Sequence, residues 1–264
     1  MDILFALSLK GYRYLTCRHL SGLYFQSSVE CQDRMAELCQ SGMISQLSIP
    51  AVDGEGQQAI YTLARSGANA LAKLKGTNPL GLASLRKPSY LFLEHGLRVS
   101  DFMCSLEAGL KGTGARLLSW KSERQLKTSS GRALRVAHPF DVGEKIPIIP
   151  DGLFSLKMDQ RVEHFFLEAD RGTMSLFSLR TKMLGYIQLF RKRLHLQTFG
   201  VPDFRVLLVT NTPYRRDKLR EELRGIGYCP NMFWFAVWRD ITPERVLGKI
   251  WLKCRDRDQR SLLE

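Results

Sequence analysis

Hydrophobic and polar positions in the first third of the chain change from a helical to a strand-like spacing near residue 43. Helices are predicted at residues 3–14, 16–24 and 29–40, strands at 43–49 and 59–63, and a closing helix at 64–74. Thr16 and Ser27 or Ser28 are suited to cap the second and third helices, and Gly42 ends the third. Three helices followed by a hairpin are the element order of a winged helix-turn-helix, which we predict for residues 1–78.

The second part of the chain alternates apolar strand-like runs with amphipathic helices. Residues 79–96 are rich in proline and glycine and are predicted to be a linker. Beyond it, helices are predicted at residues 95–118, 175–196, 214–226 and 242–252, and strands at 117–126, 146–156, 162–169, 204–210 and 232–238. This order predicts a mixed sheet flanked by helices in a domain at residues 97–264, so the fold class is α+β or mixed α/β.

Three carboxylates fall at the ends of the central pair of predicted strands. Asp151 follows Pro150, while Glu168 and Asp170 close the next strand and project to one face, because strand side chains alternate. Pairing the two strands as a hairpin places Asp151 beside them. Such an oxygen-rich cluster suits Mg²⁺ or Mn²⁺. The alternative is that these acids are solvated, or paired with Arg161 or Arg171.

These residues resemble known families. Pro150-Asp151 followed by Glu168-x-Asp170 resembles the proline-aspartate, acid-x-lysine motif, PD-(D/E)xK, of restriction-endonuclease-like folds. The segment LEADRGT and the helix after it resemble the replication-relaxation family of plasmid and mobile-element proteins. The resemblance implies a DNA-binding winged helix joined to a nuclease-like domain, with Asp151, Glu168 and Asp170 as metal ligands and catalytic residues.

One position departs from the nuclease motif. Asp170 stands where the motif has lysine, a residue that stabilises developing charge or helps to activate the attacking water. Lys182, in the helix after the hairpin, is the candidate for a relocated catalytic base, and Arg171 is the second candidate. The alternative for Lys182 is a solvated lysine on a basic helix.

The positive charge is concentrated in the second part of the chain. The net charge is +13, and residues 1–85, with seven Lys or Arg and six Asp or Glu, account for only +1 of it. Such a surplus attracts phosphate backbones, of DNA, RNA or an anionic surface. The nucleic-acid-binding residues predicted here are Arg171, Arg180, Arg191, Lys192 and Arg193.

The third helix, in contrast, is acidic. Gln32 is its best candidate for a contact to a base edge, and Arg34 is its only basic residue. The helix and the hairpin loop also carry Glu30, Asp33, Glu37, Asp53 and Glu55, which repel phosphates. DNA reading and docking of a second copy or a protein partner are therefore equally supported interpretations of this domain.

Composition limits the remaining possibilities. No apolar run reaches 18 residues, so no membrane span is predicted, and no secretory signal is recognised at the N-terminus. Six cysteines lack CxxC or zinc-like spacing, so we expect reduced thiols, no zinc and a cytoplasmic location.

Two functions are consistent with these patterns. The first is a DNA-binding protein of a plasmid or mobile element that acts as a Mg²⁺- or Mn²⁺-dependent nuclease or nickase. The second is a non-catalytic DNA- or protein-binding regulator on a degenerate nuclease scaffold, which the missing motif lysine favours. The sequence leaves the enzymatic activity open.

Overall fold

The computed structural model describes residues 12–50, 57–76, 88–130, 134–226 and 231–264. The chain divides into two compact units, residues 1–108 and 109–264. Helices and strands occur in both, so the mixed α+β class is confirmed.

The first unit combines helices with an antiparallel hairpin. Its elements are α1 (Cys17–Tyr24), α2 (Ser28–Gln40), β1 (Ile44–Pro50), β2 (Gln57–Leu63), α3 (Arg65–Lys75) and α4 (Tyr90–Gly109). The predicted caps form, because Thr16 Oγ1 accepts from the His19 amide at 3.4 Å and Ser27 Oγ accepts from the Glu30 amide at 3.1 Å. β1 and β2 pair in register along their full length.

The segment before α1 differs from the prediction. Most of the helix predicted at residues 3–14 lies outside the described residues, but residues 12–14 are not helical. Instead, Leu15 pairs with Tyr61 of β2 through two backbone hydrogen bonds of 3.0 and 2.7 Å. This bridge extends the chain alongside the hairpin, and an extended backbone cannot continue a helix.

The boundary between the units also differs from the predicted linker. Residues 90–96 of that linker form the beginning of α4, and residues 79–87 lie outside the described part. Leu93 and Leu97 of α4 are buried in one apolar cluster with Tyr14, Ile49 and Ile60. Burying these side chains is favourable, so α4 packs within the first unit.

Within the described residues, the second unit contains a six-stranded sheet. Its elements are β3 (Arg116–Ser122), α5 (Glu123–Ser130), β4 (Leu134–Ala137), β5 (Lys145–Ile148), β6 (Gly152–Met158), β7 (Arg161–Ala169), α6 (Leu176–Arg191), α7 (Leu194–Phe199), β8 (Arg205–Thr210), α8 (Pro213–Arg224), β9 (Phe233–Val237) and β10 (Leu252–Lys253). The sheet order is β10, β9, β8, β7, β6, β3, and β4 pairs with β5 separately. β3, β6 and β7 are antiparallel neighbours, whereas β7, β8 and β9 are parallel. The predicted hairpin of residues 146–156 with residues 162–169 is confirmed for the part from Gly152 onward. The beginning of that predicted strand is separate, because residues 145–148 form β5 and pair with β4.

Other predicted elements also have different bounds. The helix predicted at 95–118 ends at Gly109. The strand predicted at residues 117–126 stops at Ser122, where α5 begins, and the helix predicted at 175–196 is divided after Arg191. The helix predicted at 242–252 is wrong. Trp251 is held instead by two backbone hydrogen bonds with Arg260 and by its indole on the Val246 carbonyl at 2.8 Å.

The apolar core of the second unit lies between the sheet and α6. It includes Leu153 of β6, Phe166 of β7, Leu208 of β8 and the ring of Tyr186 from α6. α6 also packs closely on the β4–β5 ribbon at Gly185, where an added Cβ would lie 2.4 Å from the Ile148 side chain. This close packing holds α6 above the ends of β6 and β7.

The sequence also led to expectations about membrane spans and about the state of the cysteines. Within the described residues, no helix is long and apolar enough to cross a membrane. Cys17, Cys31, Cys39 and Cys104 are free thiols. Cys254 is disulfide-bonded, so the expectation of reduced thiols is wrong at that position.

Candidate functional site

Asp151 and Glu168 lie side by side at the ends of neighbouring strands. Asp151 immediately precedes β6, and its amide donates to the Leu167 carbonyl at 3.0 Å. Its Oδ2 accepts from the Ala169 amide at 2.7 Å. The β6–β7 register pairs Gly152 with Leu167, which places Asp151 opposite Glu168. The hairpin thus brings together the first two acids of the predicted set.

Glu168 is buried and held by two residues of α6. Only 3% of it is exposed. Lys182 Nζ donates to its Oε2, and the Tyr186 hydroxyl donates to its Oε1 at 2.5 Å. Lys182 and Tyr186 are four residues apart and so face the same side of the helix. The Lys182 side chain is 17% exposed, which places it in the cluster, unlike the solvated lysine considered as an alternative.

The protonation of this cluster follows from its burial. Burial raises the pKa of Glu168 to about 7; Lys182 opposes this and Asp151 adds to it. Burial lowers the pKa of Lys182, but the carboxylates of Glu168 and Asp151 outweigh it and the net pKa is raised. Lys182 is therefore a cation that only partly offsets the two acids.

Glu123 is a third carboxylate at this site, and our sequence reasoning assigned it no role. It is the first residue of α5, and its amide donates to the Asp151 carbonyl at 3.0 Å. A carboxylate oxygen of Glu123 lies within 4.8 Å of one of Asp151. Lys127, one turn further along α5, donates to the Glu123 carboxylate. The sequence feature that could have identified Glu123 is its position directly after β3, the strand that neighbours β6.

Gly152, the residue after Asp151, packs closely against the Trp120 ring, and this packing fixes the position of Asp151. A Cβ added to Gly152 would lie 1.9 Å from the Trp120 ring, so only glycine leaves room for the indole. Trp120 on β3 faces Phe154 on β6, with ring centroids 6.5 Å apart. β3, which leads into Glu123, therefore approaches β6 next to Asp151.

Asp170 has a separate set of partners. Its Oδ2 accepts from Arg215 Nε at 2.5 Å and from Thr210 Oγ1 at 2.7 Å, and its Oδ1 accepts from Arg215 Nη2 and the Gly172 amide at 3.0 Å each. Asp170 is 6% exposed. Of the two roles considered from the sequence, the described contacts match a buried ion pair, with Arg215 as the base.

The predicted nucleic-acid-binding residues occur in both units. Gln32 and Arg34 are exposed on α2, where Arg34 Nη1 bonds Glu37 at 2.7 Å, and Glu30 and Asp33 are exposed beside them. In the second unit, Arg191, Lys192 and Arg193 are exposed at the end of α6, Arg171 is partly exposed, and Arg180 lies 3.8 Å from Glu222. Asp53 and Glu55 lie outside the described residues.

Fold and site together define an α+β protein with a buried acid–lysine cluster at the ends of two adjacent strands. A family model described as replication-relaxation matches residues 7–203, more than half of the chain. The chain belongs to the replication-relaxation family. No curated protein and no solved structure matches it.

Proposed function

We propose that the chain is a DNA-binding protein of a mobile element whose second unit cleaves phosphodiester bonds with a divalent metal ion, as an endonuclease or nickase. The main observation behind the proposal is that Asp151 and Glu168 lie opposite each other on adjacent strands, and that Lys182 donates a hydrogen bond to Glu168. The family assignment supports a role in replication or relaxation.

The order of elements supports a restriction-endonuclease-like arrangement. β3, β6 and β7 form an antiparallel set, and α6 then crosses to β8, which is parallel to β7. The proline-aspartate pair precedes the second of these strands and Glu168 lies on the third, as in the motif that the sequence resembles. In the first unit, the Leu15 bridge and the β1–β2 hairpin support the winged-helix assignment.

The carboxylates fit a hard divalent cation. Asp151, Glu168 and Glu123 offer only oxygen ligands, which Mg²⁺ and Mn²⁺ prefer. Burial raises the pKa of Glu168 even though the Lys182 ammonium lowers it, so a bound divalent cation would further stabilise the ionised carboxylate. Asp151 and Glu168 would hold the ion, and Glu123 lies beside Asp151, within 4.8 Å of it. The bound ion would polarise the phosphate and lower the pKa of the attacking water.

The residues around these ligands have distinct roles in the proposal. Lys182 supplies a positive charge at the strand ends, where the motif lysine would act, and stabilises negative charge developing on the phosphate. Tyr186 fixes the orientation of Glu168 through its hydrogen bond. Asp170 is assigned to the ion pair with Arg215 and supports the loop between β7 and α6.

A second candidate function is a non-catalytic regulator on the same scaffold. This function is favoured because Lys182 and Tyr186 already hydrogen-bond both carboxylate oxygens of Glu168. The exposed acids of α2 also suit docking of a protein partner or a second copy rather than phosphate binding. A DNA-binding regulator with a basic surface should lose affinity steeply as salt increases, without cleaving DNA.

Nicking of supercoiled plasmid tests the proposal. Wild-type protein with Mg²⁺ or Mn²⁺ should convert supercoiled to open-circular DNA, and EDTA should prevent this. Asp151→Asn should abolish nicking. Asp159→Asn is the matched control, because Asp159 lies in the β6–β7 turn at φ 52°, a conformation that asparagine tolerates. Absence of nicking, or equal nicking by Asp151→Asn, rules out the nuclease and leaves the regulator.

A further inference from the structure

Two buried acid–base pairs lie close together in the sequence of the second unit, and they differ in how the base is held. Glu168 is paired with Lys182, and Asp170, two residues further along, is paired with Arg215. The side chains of the two bases are equally buried, each 17% exposed. Because their burial is the same, their hydrogen bonds show which of the two bases is fixed in place.

Arg215 is held by three hydrogen bonds. Its Nε donates to Asp170 Oδ2 at 2.5 Å, and its Nη2 donates to Asp170 Oδ1 at 3.0 Å and to the Met174 carbonyl at 2.6 Å. Moving Arg215 would break all three and leave a buried carboxylate without its cation, which is strongly unfavourable. The pair of Asp170 and Arg215 is therefore structural.

Lys182, in contrast, makes one hydrogen bond to the described part of the chain. Its Nζ donates to Glu168 Oε2, although an ammonium group carries three N–H donors. Leaving donors of a mostly buried cation without an acceptor costs free energy, so Lys182 is suited to an acceptor that enters from outside the chain. The other oxygen of Glu168 accepts from the Tyr186 hydroxyl at 2.5 Å, so Glu168 keeps a partner when Lys182 moves.

The charges of the acid–lysine cluster favour an exchange of Lys182 for a divalent cation. Asp151 and Glu168 each carry one negative charge when ionised, and both interact with the positive charge of Lys182. A divalent cation would neutralise the two carboxylates by itself. Keeping Lys182 on Glu168 as well would leave surplus positive charge in a buried site, where like charges repel strongly. A phosphate group is an anion that can take up this surplus.

We propose that Lys182 occupies the cation position of Glu168 in the free protein, leaves Glu168 when a divalent cation binds, and then donates to a phosphate of bound DNA. This inference rests on the proposed function, in which Asp151 and Glu168 bind the cation and the second unit binds DNA. In the free protein Lys182 and the cation compete for Glu168, and DNA relieves this competition because its phosphate accepts the displaced ammonium group. The cation and DNA therefore bind cooperatively, and each raises the affinity for the other by the same factor.

Chemical labelling of lysines in the wild-type protein tests the displacement without any substitution. Acetic anhydride followed by mass spectrometry measures the labelling rate of each lysine at pH 8. Lys182 should label slowly in EDTA, where it is buried against Glu168, and faster with saturating Mn²⁺, where it has left that contact. Lys145, which is exposed on β5, is the control and should label at the same rate in both conditions. An equal rate for Lys182 with and without bound Mn²⁺ would overturn the displacement.

The affinity for Mn²⁺ at pH 8, measured from the free-ion signal in electron paramagnetic resonance, tests the competition. Lys182→Met removes the charge and keeps an unbranched side chain, so without DNA it should bind Mn²⁺ roughly 5- to 150-fold more tightly than the wild type, the usual range of a coupling between two sites. A DNA duplex with phosphorothioate linkages, which resist hydrolysis, should raise the Mn²⁺ affinity of the wild type by a similar factor and that of Lys182→Met clearly less. Lys145→Met, which removes an exposed ammonium group, is the control and should behave like the wild type.

The outcomes distinguish this inference from the proposed function. Mn²⁺ binding by the wild type, with equal or weaker binding by folded Lys182→Met, would overturn the competition and leave the metal site intact. Absence of Mn²⁺ binding by both proteins would refute the metal site and the inference together. If Lys182→Met does not fold, the labelling rate of Lys182 and the DNA dependence of Mn²⁺ affinity in the wild type decide, and an affinity that DNA leaves unchanged would overturn the inference.

Discussion

Replacing Glu168 with glutamine should change the pH dependence of stability. Glu168 has an ordinary pKa of 4.5, and burial raises its folded-state pKa to about 7. Between these values the folded state retains a proton that the unfolded state has lost. The contribution of Glu168 to stability is therefore fully present below about pH 4.5 and falls as pH rises through 7, because the carboxylate must ionise inside the protein.

The size of the effect follows from the two pKa values. Each unit of difference corresponds to 1.36 kcal/mol, so ionising Glu168 costs about 3 kcal/mol of unfolding free energy at pH 8. Glutamine has nearly the same shape and does not titrate. Part of the effect is already present at pH 5, because the unfolded-state carboxyl is mostly ionised there. Between pH 5 and pH 8, Glu168→Gln should therefore gain about 2.5 kcal/mol of unfolding free energy relative to the wild type.

Urea denaturation at pH 5 and pH 8, with EDTA present, measures this gain. The quantity compared is the free energy of unfolding of the variant minus that of the wild type at each pH. Glu222→Gln provides the baseline for removing an exposed carboxylate. An equal difference for Glu168→Gln at both pH values would refute the burial argument for the cluster.

Three further predictions follow from the same contacts. Gly152→Ala should destabilise the protein by about 1–3 kcal/mol in denaturant titrations, because the added Cβ would lie 1.9 Å from Trp120. Arg215→Met should cost about 3–5 kcal/mol, because it leaves the buried carboxylate of Asp170 without its cation, and Arg215→Lys should restore only part of this, since lysine lacks the two-pronged donor. Calorimetric Mg²⁺ affinity should rise as pH increases up to about 7 and then level off, because the ion and a proton compete for Glu168.

The central hairpin could be predicted because its signals are local. The apolar runs on either side of the polar turn at 159–160 predict the two strands of the hairpin, although the pattern places the start of β6 too early, at residue 146 instead of Gly152. Once the strands pair, Asp151 and Glu168 are neighbours without help from any other element. The position of Lys182 above them required only a helix that returns over the same strands.

Other contacts depend on chain segments far apart in the sequence. Arg215 reaches Asp170 from 45 residues away, and only the crossover through α6 and β8 brings it there. Tyr186 looks like an ordinary core residue of an apolar helix, although its hydroxyl bonds Glu168. The region around Trp251 has a helical pattern, but its backbone pairing with Arg260 determines the local structure.

Binding of Mn²⁺, followed by the loss of the free-ion signal in electron paramagnetic resonance, tests the account most directly. The wild type should bind one Mn²⁺ per chain at the Asp151–Glu168 pair, Asp151→Asn should abolish that site, and Asp159→Asn should leave it intact. Failure of the wild type to bind Mn²⁺, or equal binding by Asp151→Asn, would contradict the central claim that these two strand ends share a divalent cation.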